Sequence, residues 1–276
     1  MTFNNRGLTL SFAAGVIAFG AAGASAQIIT LDDLNSTARF NIGSQVGQDT
    51  WLVDGVDHMF QQWFWYRADG DQFERSIDTL VPIGNQVTDT NHFTDPRPDT
   101  LDALWRDPAG GRFDLEFNAT LRGATANSNR SDITEQIRIT NNTGTVLPFS
   151  FFQYVDLDLN GTIPDSVVQI FNSERAEQSE FPVTVSEAIL TPLPSAYEVN
   201  FYNATLTSLN DGGITALNNN AGPIGPGDLT WAFQWNFLIG PGQSVLISKD
   251  KSIVPTPGSA TLLALGGLAL ARRRRR

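Results

Sequence analysis

The chain has 276 residues, with 18 Lys+Arg against 29 Asp+Glu, a formal net charge of −11 and no cysteine. Hydrophobic residues make up 41% and charged residues 17%, which excludes a disordered acidic tail and a polytopic membrane protein. The acid excess excludes nucleic acid as a partner, since phosphate binding needs a basic face. The missing cysteines exclude disulfides, a thiolate metal centre and a cysteine nucleophile.

Residues 1–26 predict a secretory signal peptide. Arg6 is the positive n-region, Leu8 to Phe19 is apolar, and Ala24-Ser25-Ala26 offers signal peptidase its small residues at Ala24 and Ala26. Gln27 then begins the mature chain. The body, residues 27–253, reads as β throughout, because no long segment carries a 3.6-residue apolar period. An antiparallel β-sandwich, possibly an enlarged one, is the expected fold.

Met59 to Tyr66 is apolar on both faces, as in a central strand. Over Trp63 to Arg67, Trp63, Trp65 and Arg67 share a face, so flat rings beside a guanidinium become a candidate carbohydrate platform; core packing explains the same pattern. Thr88 to Thr100 is a loop. The two histidines, His58 and His92, have Asp54 and Asp57, and Asp89 and Asp95, as neighbours; a metal site would need the two loops to meet.

A meander is expected from Arg112 to Asn160, with Phe113, Leu115 and Phe117, then Ile133, Ile137 and Ile139, on inward faces. Asn141-Asn142-Thr143-Gly144 is read as its turn. Phe149 to Leu159 is the next strand, closed by an Asn160-Gly161 hairpin signal. Asp156-x-Asp158-x-Asn160-Gly161 matches the first half of a calcium loop, with oxygen ligands at alternate positions. Val167 stands where the closing Glu belongs, and only Asp165 is near. The competing reading has Asp156 and Asp158 pointing to solvent from a strand whose buried face is Val155, Leu157 and Leu159. Asp156, Asp158 and Asn160 are therefore a calcium candidate, and no other cofactor is expected.

Asn218 to Gly227 is a turn-rich loop. Trp231, Phe233, Trp235 and Phe237 then alternate with smaller or polar residues over Leu229 to Ile239, a half-buried strand. Pro241-Gly242 turns the chain into its partner, Ser244 to Ser248.

The last segment, residues 254–276, contains Pro255-Thr256-Pro257-Gly258, an apolar run from Ser259 to Ala271 and Arg272, Arg273, Arg274, Arg275 and Arg276. The prolines should stop any preceding strand. The run is a short transmembrane helix, under the ~20 residues of a comfortable span, with its arginines on the cytoplasmic side. This order resembles the PEP-CTERM sorting signal of Gram-negative bacteria, with Thr256 where that signal usually has Glu. The resemblance implies an exosortase-type sorting enzyme as partner beside signal peptidase, and release or re-anchoring at the cell surface. Phe152 to Leu159, and Trp235-Asn236-Phe237 through Pro241-Gly242 to Lys251, are similar to segments of exported proteins that carry this signal.

No Gly-x-Ser-x-Gly, His-Glu-x-x-His or phosphate-cradling loop occurs. Glu74, Glu116, Glu135 and Glu187 are free to form a carboxylate pair, which has no sequence signature. The sequence thus predicts an exported surface or extracellular-matrix protein without catalytic activity. Its alternative is a carbohydrate-binding module or polysaccharide-active glycoside hydrolase, with extracellular polysaccharide as partner.

Overall fold

The computed structural model describes residues 27–256. The signal segment with Ala24 and Ala26, and Pro257, Gly258 and the five terminal arginines of the sorting tail, lie outside the described residues. Among the described residues no helix is long and apolar enough to cross a membrane.

Seventeen strands follow one another among the described residues: β1 (Ile28–Asp33), β2 (Ser36–Asn41), β3 (Gly47–Val53), β4 (Val56–Asp57), β5 (Gln61–Ala68) and β6 (Arg75–Ser76) come first. Next are β7 (Val81–Thr88), β8 (Thr100–Arg106), β9 (Phe113–Gly123), β10 (Ser131–Asn141) and β11 (Leu147–Asp156). The last are β12 (Val167–Phe171), β13 (Arg175–Glu180), β14 (Val183–Thr191), β15 (Ala196–Phe201), β16 (Leu229–Ile239) and β17 (Ser244–Pro255). A seven-residue helix, α1 (Ala204–Asn210), lies between β15 and β16.

The strands form two sheets packed as the expected sandwich. One runs β1-β2-β3-β5-β11-β16-β15, with β4 and β6 at its margins; the other runs β12-β13-β14-β17-β10-β9-β8-β7. Pairing is antiparallel except for a brief parallel contact in which Gly47 and Gln48 of β3 meet Gln62 of β5. Gly47 suits that contact because a Cβ there would come within 2.3 Å of the Trp63 ring, and its φ is +63°.

All six tryptophans of the chain are buried. Phe64 stacks on Phe151 at 5.5 Å between ring centres, and Phe113 meets Phe149 edge-on at 4.8 Å, so aromatic side chains fill the layer between the sheets.

A polar layer crosses this core. Inward positions of β10, β14 and β17 carry Glu135, Glu187, Lys249 and Lys251, all buried, opposite Gln48, Gln62 and Gln153 of the other sheet. The Lys249 ammonium pairs with Glu135 and, at 2.9 Å, with Glu187. Trp231 Nε1 and Gln153 Nε2 each donate to Glu187 at 2.7 Å. Burial works to raise the Glu187 carboxyl, but the two lysines and Gln153 outweigh it and hold it below its ordinary value. Burial brings Lys251 down to about 8.

Four details differ from the sequence reading. Ser244 to Ser248 is not the pairing partner of Leu229 to Ile239: β16 lies between β11 and β15, while β17 crosses to the other sheet between β14 and β10. The segment Arg112 to Asn160 is not one meander: β9 and β10 pair in one sheet, while β11 crosses to the other. Phe149, Phe151, Phe152, Tyr154 and Val155 are apolar on both faces of β11, and only the site between β5 and β16 covers both. Asn160-Gly161 makes a 3-10 turn rather than a hairpin. Finally, β17 continues through Val254 and Pro255, pairing with Thr184 and Val183. Its other neighbour, β10, has ended opposite Ile253, so the proline removes no bond from that ladder.

Candidate functional site

Four neighbouring strands of the first sheet, β5, β11, β16 and β15, alternate in direction. The start of β5, the end of β11, the start of β16 and the end of β15 therefore lie at one end of the sheet. Asp156 is opposite both Gln61 and Thr230, and Phe201 is opposite Leu229. This places Asp156 and Asp158, which are far from Asp228 in sequence, beside it. The three carboxylates each bring an oxygen within 4.8 Å of the others.

Local backbone bonds hold the arrangement. Asp165 and Gly227 exchange N–H···O bonds of 2.9 and 3.0 Å, fixing the loop after Asp158 to the residue before Asp228. The Asp165 carboxylate accepts from Leu159 N at 3.2 Å and from Gln178 Nε2 at 2.6 Å, so it acts as a brace inside the loop. Asn160, at φ +62°, donates its N–H to His58 Nδ1 at 3.0 Å. That bond fixes His58 as an acceptor at Nδ1, and burial lowers its pKa to about 4.

The cluster is electrostatically tense. Asp156 is 1% exposed. Burial first, and Asp228 second, raise its carboxyl to about 8. Burial also raises Asp158, with Asp228 and Asp57 adding to the effect, and raises Asp228. Tyr154 donates its hydroxyl to Asp156 Oδ2 at 3.0 Å, whereas Oδ1 is buried without a hydrogen-bond partner. A buried acceptor left so costs about 1–3 kcal/mol.

Two aromatic residues adjoin the acidic cluster through their backbones. Phe60 donates its N–H to the Asp156 carbonyl at 3.2 Å, and Tyr202 donates its own to the Asp228 carbonyl at 3.0 Å. The rings meet edge-on, 6.0 Å between centres, and are 49% and 45% exposed. Exposed rings beside unpaired acceptors suit a ligand with apolar faces and hydroxyl donors.

The sequence candidates divide accordingly. Asp156 and Asp158 come together as expected, but neither points freely to solvent, and Asn160 does not join them. Its side-chain amide donates to the Glu180 and Phe181 carbonyls at 3.2 Å each. Trp63 and Trp65 are 1% and 0% exposed and offer no platform. Trp63 lies 6.5 Å from Trp105 of the opposite sheet, and Trp65 donates to Asn210 of α1 at 3.2 Å. Arg67 is bound to Glu74 at 2.8 Å and lines a polar cavity of about 250 Å³ at the other end of the same strands. Several polar groups lining that cavity are already partnered; Asp71, for example, takes Arg112 and Ala68 N. Glu135 and Glu187 do converge, but around Lys249 in the closed core. Glu116 faces Arg138 on the surface. The histidines do not share a site: His92 is exposed and paired with Asp89.

Asp228, Phe60 and Tyr202 were missed. Their signal was positional: an acidic residue opening one aromatic strand and an acidic pair closing another become neighbours once the strands are paired.

No protein-family model matches the chain, and no curated protein matches it in sequence. Solved structures share its fold. A bacterial glucoamylase complexed with acarbose is 10% identical, with a TM-score of 0.55 over 91% of this chain. The match spans only 37% of the glucoamylase. A Synechocystis sp. PCC 6803 protein is 11% identical over 88% of this chain and 100% of its own, with a TM-score of 0.52. A protein assigned as an aldose 1-epimerase from Escherichia coli K12 is 11% identical over 83% of this chain and 98% of its own, at 0.50. These likenesses establish a fold shared with carbohydrate-active enzymes. They count against the expectation of a component without catalytic activity, because the fold is one that carbohydrate-active enzymes use.

Proposed function

We propose that the protein recognises carbohydrate, outside the cytoplasm, at the end of the first sheet between Phe60, Tyr202 and the three carboxylates. The observation that carries this reading is the half-exposed pair Phe60 and Tyr202, each hydrogen-bonded through its backbone to a residue of the acidic cluster. A pyranose presents C–H faces to aromatic rings and hydroxyl donors at its rim, so rings and carboxylate acceptors together read both. Asp156 is rigid in this scheme, held by Tyr154, while the more exposed Asp158 and Asp228 adapt to the hydroxyl pattern.

Affinity electrophoresis through gels containing neutral and acidic polysaccharides tests it. At least one polysaccharide should retard the protein, and Tyr202→Ala should weaken retention by about tenfold, the loss of one stacking contact and its desolvated surroundings. Retention by none of the polysaccharides, or retention unchanged in both Tyr202→Ala and Phe60→Ala, rejects the site.

Hydrolysis is a second reading, favoured by one distance. Carboxylates within 4.8 Å are nearer the roughly 5–5.5 Å separation of retaining glycosidases than the roughly 6.5–9.5 Å of inverting ones. Release of reducing ends from the retained polysaccharide, abolished in Asp228→Asn, would identify it.

A further inference from the structure

We propose that Asp156, Asp158 and Asp228 bind a calcium ion, which makes this end of the sheet a metal-supported binding site. The proposal goes beyond the carbohydrate reading and does not depend on it.

Three observations carry it. The first is spacing. Calcium takes oxygen ligands at about 2.3–2.6 Å, so two ligands on opposite sides of one ion are roughly 4.6–5.2 Å apart. One oxygen from each aspartate lies within 4.8 Å of the others, a spacing that one calcium ion spans with at most a small adjustment of the half-buried Asp158 and Asp228.

The second is the unpartnered oxygen. Asp156 is 1% exposed, its Oδ2 takes the Tyr154 hydroxyl, and its Oδ1 is buried with no donor in reach. The same side chain faces Asp158 and Asp228, so the group lacking a partner belongs to the carboxylate that an ion would bind most deeply. A cation supplies what no protein donor does.

The third is charge. Among the described residues no lysine, arginine or histidine forms a salt bridge with any of the three aspartates. Elsewhere arginines meet buried aspartates: Arg112 at Asp107, Arg122 at Asp99 and Arg97 at Asp95. Both lysines of the chain are committed to the interior.

The donor set is all oxygen, which selects a hard cation over zinc or copper. Asp158 and Asp228 are only half-buried, so water completes the six to eight ligands that calcium takes. Magnesium demands near-ideal octahedral geometry and sheds its water reluctantly, so ligands carried on separate strand and loop ends suit the more adaptable calcium shell better. With an ion in place the carboxylates hold metal rather than exchange protons, which favours recognition over hydrolysis.

Calcium chloride alone is the probe, titrated by calorimetry into the full chain after EDTA and dialysis, with parallel thermal melts. One saturable site per chain is expected. At 100 times Kd the melting midpoint should rise by roughly 5–10 °C, and magnesium at the same concentration should raise it less. Asp158→Asn and Asp228→Asn should each weaken calcium at least tenfold, while Glu116→Gln, an exposed carboxylate elsewhere, should leave it unchanged. Asp158→Asn alone decides if Asp228→Asn does not fold. No saturable heat and no midpoint shift at about 10 mM calcium, roughly ten times the weakest dissociation constants of extracellular sites, overturns the proposal. So does wild-type affinity in the aspartate variants, or an equal response to magnesium. Because no sugar is present, failure here leaves the carbohydrate reading to its own test.

Discussion

Replacing Lys249 by methionine puts the buried polar layer to a quantitative test. Lys249 is the charge between Glu135 and Glu187, and all three side chains are 1% exposed or less. Methionine keeps the length and apolar stem but removes the ammonium bonded to both carboxylates, leaving Lys251 as the one cation of the layer for two buried glutamates. Removing one partner of a buried pair costs about 3–5 kcal/mol. A second route gives a similar figure. If one glutamate escapes by taking up a proton at pH 7, roughly 2.5 units above its ordinary pKa, the cost is about 3 kcal/mol. For a body of this size each kcal/mol moves the melting temperature by about 2–4 °C, so a fall near 10 °C is expected. Urea unfolding of wild type and Lys249→Met at pH 7 and 4.5 measures it. The deficit should shrink toward pH 4.5, where the unfolded chain also binds that proton and neutralising the carboxyl costs little. Glu187→Gln added to Lys249→Met should recover part of the loss at pH 7. A deficit under about 1 kcal/mol at pH 7, or one that does not change with pH, would refute the reasoning.

Trp65→Ala should cost about 3–5 kcal/mol in urea unfolding yet leave polysaccharide retention of the folded fraction intact, because the ring packs under α1 and on Tyr154. Loss of retention without loss of stability would restore it as a ligand contact. His58 gives a pH signature: with a folded pKa near 4 and an unfolded value near 6.5, the unfolded chain binds the proton first as pH falls. Its contribution is complete above about pH 6.5 and declines by about 3 kcal/mol toward pH 4. Below that it is constant. The difference between wild type and His58→Gln in urea titrations at several pH values should trace this curve, and a flat difference would contradict it.

How far the fold could be read depended on where one periodicity had one explanation. Trp231, Phe233 and Trp235 alternate with smaller or polar neighbours, and β16 has the expected bounds, Leu229–Ile239. In β11 both faces are apolar, which signals a central strand but names neither neighbour; the crossing between sheets was therefore hidden. Asn160-Gly161 favours positive φ, and Asn160 has it, but residues beyond pair with another sheet, so the same preference yields a 3-10 turn. Isolated charges at inward positions, Glu135 among Ile133 and Ile137, or Lys249 and Lys251 between Ile247 and Ile253, were visible. Their complementarity needs the register that sets Glu135 opposite Lys249 and Glu187 opposite Lys251. The site was half legible for the same reason. Asp156 and Asp158 are neighbours in sequence, while Asp228, Phe60 and Tyr202 arrive by strand pairing alone.

The most direct measurement is a crystal structure of the protein with an oligosaccharide from a polysaccharide that retains it. The sugar should lie against Phe60 and Tyr202, with at least one hydroxyl within hydrogen-bond distance of Asp158 or Asp228. A sugar bound elsewhere, in the cavity beside Arg67 for example, would contradict the account.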